Sequence, residues 1–297
     1  MKGRNLALLS AFCATLIYAL NYSIAKDVMP LYIKPFGFII LRLSGALVLF
    51  WIASFFIKKE KIERKDFIPI FFAALFGAAF NMLTFFKGLS LTTPINAAVI
   101  MVTTPILVFI LSLIFLQEKL IKRRIIGVVI GLIGAIILIY YGPKSAVNAP
   151  NIFLGNIYVF INASLYAFYM IIVKKLIGKY HPLTFVKWMY LFGLIIVIPF
   201  GYNELMEVEW NNMPINIYYA VLFVVIGTTF LTYLFNLLAL TKLKPTTVSS
   251  FVYLQPVITT VFALLLKSDT LNIVKIVAAI LIFLGVYLVS KPAKQNA

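Results

Sequence analysis

The sequence predicts an all-α polytopic membrane protein with ten transmembrane helices in two inverted five-helix repeats. Three observations carry this prediction. The 297 residues are 63% hydrophobic and 12% charged, with a mean hydropathy of +1.04, which is too little polar residue to cover a soluble globule. Ten apolar stretches of about the ~20 residues needed to cross a bilayer follow one another with short connections. A patterned stretch of the first half also returns, without a gap, 151 residues later.

In order, the expected helices lie near 6–25, 36–57, 67–87, 95–116, 124–141, 153–173, 184–202, 216–239, 246–266 and 271–289. The first begins Met1-Lys2-Gly3-Arg4 like a signal peptide. Its apolar run continues to about Ala25 without a small-x-small cleavage site, and Phe12 before Cys13 does not fit a lipoprotein site, so an uncleaved helix is expected. Alternate connections hold the bases: Lys2 and Arg4; Lys58 to Lys65; Lys119 to Arg124; Lys174, Lys175 and Lys179; Lys242 and Lys244; Lys291 and Lys294. These are eighteen of the 26 basic residues. The other connections hold only Lys26, Lys34, Lys87, Lys144 and Lys267, and one carries Glu204, Glu207 and Glu209. Both termini are therefore expected in the cytoplasm, with the chain in the plasma membrane.

The repeat is clearest from Phe86 to Glu118. At the 151-residue shift Gly88 falls on Ala239, Leu89 on Leu240, Ser90 on Thr241, Pro94 on Pro245, Pro105 on Pro256, Glu118 on Asp269 and Gly134 on Gly285. At a slightly different shift Tyr18-Ala19 matches Tyr166-Ala167, Lys26 matches Lys174, and Pro35-x-x-Phe38 echoes Pro182-x-x-Phe185. The chain thus divides into residues 1–148 and 149–297. Five is odd, so the second unit enters the membrane from the side opposite to the first. That architecture suits a carrier whose two halves exchange conformations around a central site.

Composition also excludes. One cysteine, Cys13, leaves no internal disulfide, and one histidine, His181, leaves little for a metal site, so no metal or cofactor is expected. The net charge of +17 lies in short clusters between apolar stretches, which reads as a topology signal and not as a nucleic-acid surface. The expected partners are the lipid bilayer and a small-molecule substrate; the oligomeric state is not readable. No Walker loop is present, so ATP is not the expected driver.

The residues resemble the EamA-type members of the drug/metabolite transporter superfamily. The resemblance rests on Pro35, Phe38 and Arg42 at the start of the second helix, on the Gly88 to Ala98 junction, and on Pro105 followed by Glu118. It covers essentially the whole chain and implies movement of small metabolites, often amino-acid export, with sugar phosphates and nucleotide sugars exchanged by more distant relatives. The family's frequent Trp-Gly in the first helix is Tyr18-Ala19 here.

Arg42 lies about six residues into the second helix, where a charge is costly unless hydrated, paired or snorkelling. Either its guanidinium faces a central cavity and holds a carboxylate or phosphate, or it reaches the interface or pins neighbouring carbonyls, with Asp27 near enough to pair. Lys87 and Lys187 lie near helix ends, where long stems carry the ammonium to water. Asn21, Asn81, Asn96, Thr232 and Gln255 are polar within apolar segments, so they should point to one another or to a wet cavity. Tyr18, Tyr166, Trp188 and Tyr233 could line a cavity, although aromatics in such segments more often serve packing or the interfacial belt. Pro105 and Pro256 are expected in mid-helix, as hinges or static kinks.

No acidic residue lies in the middle of any segment, so coupling through an intramembrane carboxylate is not expected. The reading is a secondary transporter of a carboxylate-bearing metabolite, such as an exported amino acid, with Arg42 as its anchor. An exchanger of phosphorylated anions needs a second cation beside Arg42. A non-transporting scaffold remains open. An intramembrane enzyme would need a nucleophile with its base at membrane depth, which His181 and Cys13 do not supply.

Overall fold

The computed structural model describes residues 2–115, 117, 121–142, 146, 148–177, 179–240, 242–243 and 251–290. Glu118, Lys119, Lys144, Thr241, Lys244, Pro245, Lys291 and Lys294 lie outside the described residues. Regular structure among the described residues is helical, apart from one bridge between Ala146 and Ala149. Eight helices are long and apolar enough to cross a membrane, and Gln255–Leu265 and Ile273–Val289 are shorter apolar helices. The expected ten long spans are thus eight plus two short pieces, because the expected 246–266 segment begins outside the described residues and its remainder starts with a 3-10 turn at Phe251–Leu254.

The first two helices are simple: α1 (Lys2–Val28) and α2 (Pro35–Ser54), the latter opening on a proline whose missing N–H falls in the first turn. The third span is composite, with α3 (Phe67–Ala74), a π-helical stretch at Leu75–Ala79, and α4 (Phe80–Leu91). Two residues turn the chain into α5 (Pro94–Met101), and α6 (Thr104–Phe115) completes the fourth span. Next come α7 (Lys122–Tyr141), α8 (Ile152–Ile177) and α9 (Pro182–Met206). The eighth span is again composite: α10 (Ile215–Leu222), a π stretch at Phe223–Leu231, and α11 (Thr232–Leu240). The chain ends in α12 (Gln255–Leu265) and α13 (Ile273–Ser290). Shifted by 151 residues, the first π stretch falls inside the second.

The prolines correct the sequence expectation. Pro105 and Pro256 are each the second residue of a new helical piece, α6 and α12, and not mid-helix residues. The reason is visible at Pro105, which has no N–H to give the Met101 carbonyl. Thr104 Oγ1 donates to that carbonyl instead, at 2.7 Å, and Thr103 Oγ1 donates to Ile100 O at 2.7 Å. Two hydroxyls thus close a break that hydrocarbon would leave unsatisfied.

The most extensive helix contacts are α7 with α13, α2 with α9, α4 with α8, and α1 with α11. Each joins a helix before residue 148 to one after it, so the two units share one core and do not stand as separate bodies. Small residues set the closest approach. A Cβ on Gly127 would lie 2.6 Å from Gly285 O, and a Cβ on Gly285 would lie 2.6 Å from Gly127 O and 2.6 Å from Gly131 Cα. Backbone meets backbone there, as in other small-residue helix pairs in lipid.

At the face holding the N-terminus, Lys179 Nζ donates to Asp66 Oδ2 at 2.6 Å and to Glu63 Oε1 at 2.7 Å, and Glu60 Oε2 accepts from His181 N at 2.8 Å. These bonds raise the Lys179 ammonium above its ordinary range, the Asp66 carboxylate contributing most. At the other face Glu204 Oε2 accepts from Phe36 N at 2.6 Å and Gly37 N at 3.0 Å, an anion on the positive end of α2, and Lys34 pairs with Glu207.

Gly285→Val is expected to force α13 off α7. The overpacking cost of about 1–3 kcal/mol should appear as a lower midpoint of thermal unfolding in detergent.

Candidate functional site

Arg42 sits on the inward side of α2, only 8% exposed. Its Nε donates to Thr229 Oγ1 at 2.8 Å, and its Cζ lies 5.4 Å from the centre of the Phe86 ring. That ring is held edge-on by Phe38, 5.5 Å away. Thr229 belongs to the second π stretch, whose freed carbonyls are taken up by its own hydroxyls. Thr228 Oγ1 donates to Val224 O, and Thr232 Oγ1 donates to Thr228 O at 2.8 Å. π turns recur at functional sites because the extra residue re-aims the side chains around it.

No carboxylate pairs with Arg42 among the described residues; Asp27 does not reach it. Its terminal nitrogens make no hydrogen bond to described residues. The groups within electrostatic range are the phenols of Tyr190 and Tyr18. Tyr190 is in turn within range of Tyr18 and Tyr166, and Tyr169 within range of Tyr166, Tyr233, Tyr190 and Tyr18. The Tyr166 and Tyr169 rings lie 5.6 Å apart, and the Phe50 ring lies 5.0 Å from Tyr190 and 5.2 Å from Tyr233. The Tyr233 hydroxyl is buried and has no hydrogen-bond partner. One guanidinium and five phenols therefore gather from α1, α2, α8, α9 and α11, helices of both units.

Of the sequence-expected residues, Arg42, Tyr18, Tyr166 and Tyr233 come together. Others are occupied elsewhere. Asn81 Nδ2 donates to Asn162 O at 3.2 Å and Asn162 Nδ2 returns a bond to Asn81 O at 2.6 Å, a reciprocal tie between α4 and α8. Asn96 Nδ2 donates to Asn156 Oδ1 at 3.4 Å, an oxygen that also takes the Thr92 hydroxyl at 2.5 Å. Asn156 Nδ2 reaches Leu138 O at 3.4 Å, so this knot joins the α4–α5 turn to α7 and α8. Thr232 spends its hydroxyl on its own helix. Trp188 packs 5.6 Å from Trp51 and 5.3 Å from Phe67. Beside it Lys187 lies 5.0 Å over Trp51 and 3.3 Å from Ser54 Oγ, an aromatic band near the end of α2. Asn21 is buried with its Oδ1 unpartnered, and Gln255, half-buried, opens α12.

Sequence reasoning missed Tyr169, Tyr190 and Thr229. Tyr169 was within reach, since it lies one helical turn after Tyr166 on the same face. Tyr190 carries no such mark, and Thr229 faces Arg42 only because of the π stretch. A separate cavity of about 500 Å³ opens at the face opposite the N-terminus, lined by Tyr32, Lys34, Glu204, Glu207 and Glu209 among others.

The chain matches the EamA-like transporter family twice, over residues 5–140 and again over residues 153–291. An uncharacterized transporter of Archaeoglobus fulgidus is 26% identical over 284 residues, covering 96% of this chain and 96% of that protein. The uncharacterized transporter YyaM of Bacillus subtilis is 26% identical over 232 residues, covering 77% of this chain and 75% of that one. A WAT1-related protein of Arabidopsis thaliana is 26% identical over 301 residues, covering 91% and 75%. One solved crystal structure superposes with a TM-score of 0.62 over 96% of this chain and 97% of the other at 16% identity, a likeness of fold.

Thr229→Val removes the Arg42 Nε acceptor and leaves a buried charged donor short of one bond. A loss of about 1.5–3 kcal/mol is expected, visible as a lower thermal unfolding midpoint in detergent, with Thr229→Ser close to the parent.

Proposed function

The chain belongs to the EamA-like transporter family, and on that premise we propose that it is a secondary carrier of small carboxylate-bearing metabolites working by alternating access. It is a multi-pass membrane transporter of the drug/metabolite transporter superfamily. The observation that carries the proposal is Arg42, a buried guanidinium with no protein carboxylate to neutralise it among the described residues, ringed by phenols from helices of both units. A substrate carboxylate supplies the missing charge and takes the free terminal nitrogens in a bidentate manner. The tyrosine rings pack its apolar part, and the Tyr233 hydroxyl gives a further hydrogen bond.

Alternating access asks for two structurally equivalent halves, and several features support that arrangement. The family matches twice, once on each side of residue 148. The π stretches coincide under the repeat. Helix pairing is also self-consistent: α2 packs on its counterpart α9, α7 on its counterpart α13, while the α1–α11 and α4–α8 contacts are images of each other. The asymmetry of the basic connections supports a reading in which both termini lie on the cytoplasmic side of the plasma membrane. An amino acid moved outward is one cargo that fits the anchor.

A phosphorylated anion would call for a second cation beside Arg42. Lys187 is instead turned to Trp51 and Ser54. The site therefore favours a singly charged carboxylate.

Counterflow in proteoliposomes, run over a panel of amino and keto acids with sugar phosphates alongside, tests this. At least one carboxylate should exchange, and Arg42→Ala should slow it at least tenfold, with Tyr190→Phe between the two. No flux of any carboxylate would overturn the carrier, and unchanged flux in Arg42→Ala would overturn the anchor.

A further inference from the structure

A second buried charge cluster lies away from the Arg42 group, at the face opposite the N-terminus. Lys26, at the end of α1 and 3% exposed, donates from Nζ to Leu89 O at 2.7 Å and Ser90 O at 2.8 Å, the last carbonyls of α4. The α4–α5 turn is only Thr92 and Thr93, so the first amides of α5 are adjacent. There Ile95 N donates to Asp269 Oδ2 at 3.1 Å. Asp269 reaches this place because α12 ends in a left-handed residue, Lys267 at φ 53, with Ser268 N bonded back to Ala263 O at 2.9 Å. Its other oxygen, Oδ1, accepts from Thr270 N at 2.7 Å and from Lys275 Nζ, the two side chains of that ion pair being 3% and 2% exposed. Lys275 Nζ also donates to Thr270 O at 2.7 Å.

The chemistry is complementary at both ends of one turn. A cation caps the negative end of α4, and a carboxylate caps the positive end of α5. The two caps come from different halves of the chain. Lys26 belongs with α4 in the first half, while Asp269 belongs with Lys275 in the second. Each charge therefore has its principal partners within its own half. Within this cluster, among the described residues, the contacts across the halves are the Asp269–Ile95 hydrogen bond and the attraction between Lys26 and Asp269. Thr92–Asn156 beside it and Glu204 on Phe36 N and Gly37 N also cross the halves at this face. When the halves part, the cluster itself loses just the Asp269–Ile95 bond and the Lys26–Asp269 attraction, and neither charge is stranded without a partner.

We infer that Asp269 seated on the N-terminus of α5, opposite Lys26, is a latch that closes this face of the protein and releases when the two halves part. The inference rests on the alternating-access reading given above. The attraction is strong while the junction is dry and weak once water enters, which is the behaviour a reversible closure requires. The sequence supports the assignment. Under the 151-residue shift Asp269 corresponds to Glu118 and Lys275 to Arg124, so the chain encodes an acid–base pair of the same spacing in each half.

The test needs no substrate. In a Cys13→Ser background, Ser90→Cys places a thiol beneath the latch at a buried position, and its rate of modification by an anionic methanethiosulfonate is measured on purified protein in detergent. The parent should react slowly. Asp269→Asn should react at least tenfold faster, and Asp269→Glu should stay within about threefold of the parent. Asp269→Asn leaves Lys275 unpaired, so Asp269→Asn with Lys275→Met, which strands no charge, carries the same expectation if the single variant does not purify. Rates equal to the parent in a folded Asp269 variant lacking the carboxylate, or an Asp269→Glu rate as fast as Asp269→Asn, would overturn the latch. The labelling is read without any substrate, so absence of flux with the labelling difference intact removes the carrier and not the latch.

Discussion

Hydrocarbon offers no hydrogen bonds, and this one constraint explains most of what is irregular in the structure. At several places where a span departs from a plain α-helix a local donor is ready. Thr104 replaces the amide that Pro105 lacks. Thr228 and Thr232 return bonds to carbonyls loosened by the second π stretch. At the α4–α5 turn Lys26 takes two terminal carbonyls and Asp269 takes an amide. At these points a hydroxyl or a charge stands where the backbone would otherwise lack a partner.

The same constraint separates Arg42 from every other base described inside the bundle. Lys26 makes two hydrogen bonds to carbonyls, and Lys275 pairs with a carboxylate and bonds a carbonyl. Arg42 has one hydroxyl, an aromatic face and a ring of phenols, none of which carries a full negative charge. At the place matching Arg42 in the second half the sequence has no base, so the proposed site draws its cation from one half alone.

Much of the architecture was legible in the sequence because membrane spans and basic loops are long-range compositional signals. The membrane class, eight of the long spans and the family resemblance follow from them. The site was legible only in part. Arg42, Tyr18, Tyr166 and Tyr233 stood out by residue type and depth, but Asn81, Asn96 and Thr232 look the same in sequence; the first two tie helices together and the third bonds within its own span. A polar side chain in an apolar segment says that it needs a partner, not which one. Thr229 was invisible because a π turn shifts the facing of residues by an amount that no regular periodicity predicts. Lys26 was hidden differently: a base near a helix end reads as an orientation signal whether it is hydrated or buried.

The reciprocal bonds between Asn81 and Asn162 also bear on biogenesis. The partners are 81 residues apart, so α4 leaves the ribosome well before α8 exists. At roughly 5–20 residues per second, synthesis of the intervening chain takes about 4–16 seconds. Through that interval the Asn81 amide, and for longer still Arg42, whose partner Thr229 lies 187 residues on, must be sheltered by the insertion machinery or by water, because their partners in the second half have not yet been made. The first five helices are therefore membrane-embedded but not finished, and a chain truncated near residue 148 would present its most polar face to lipid and to quality control.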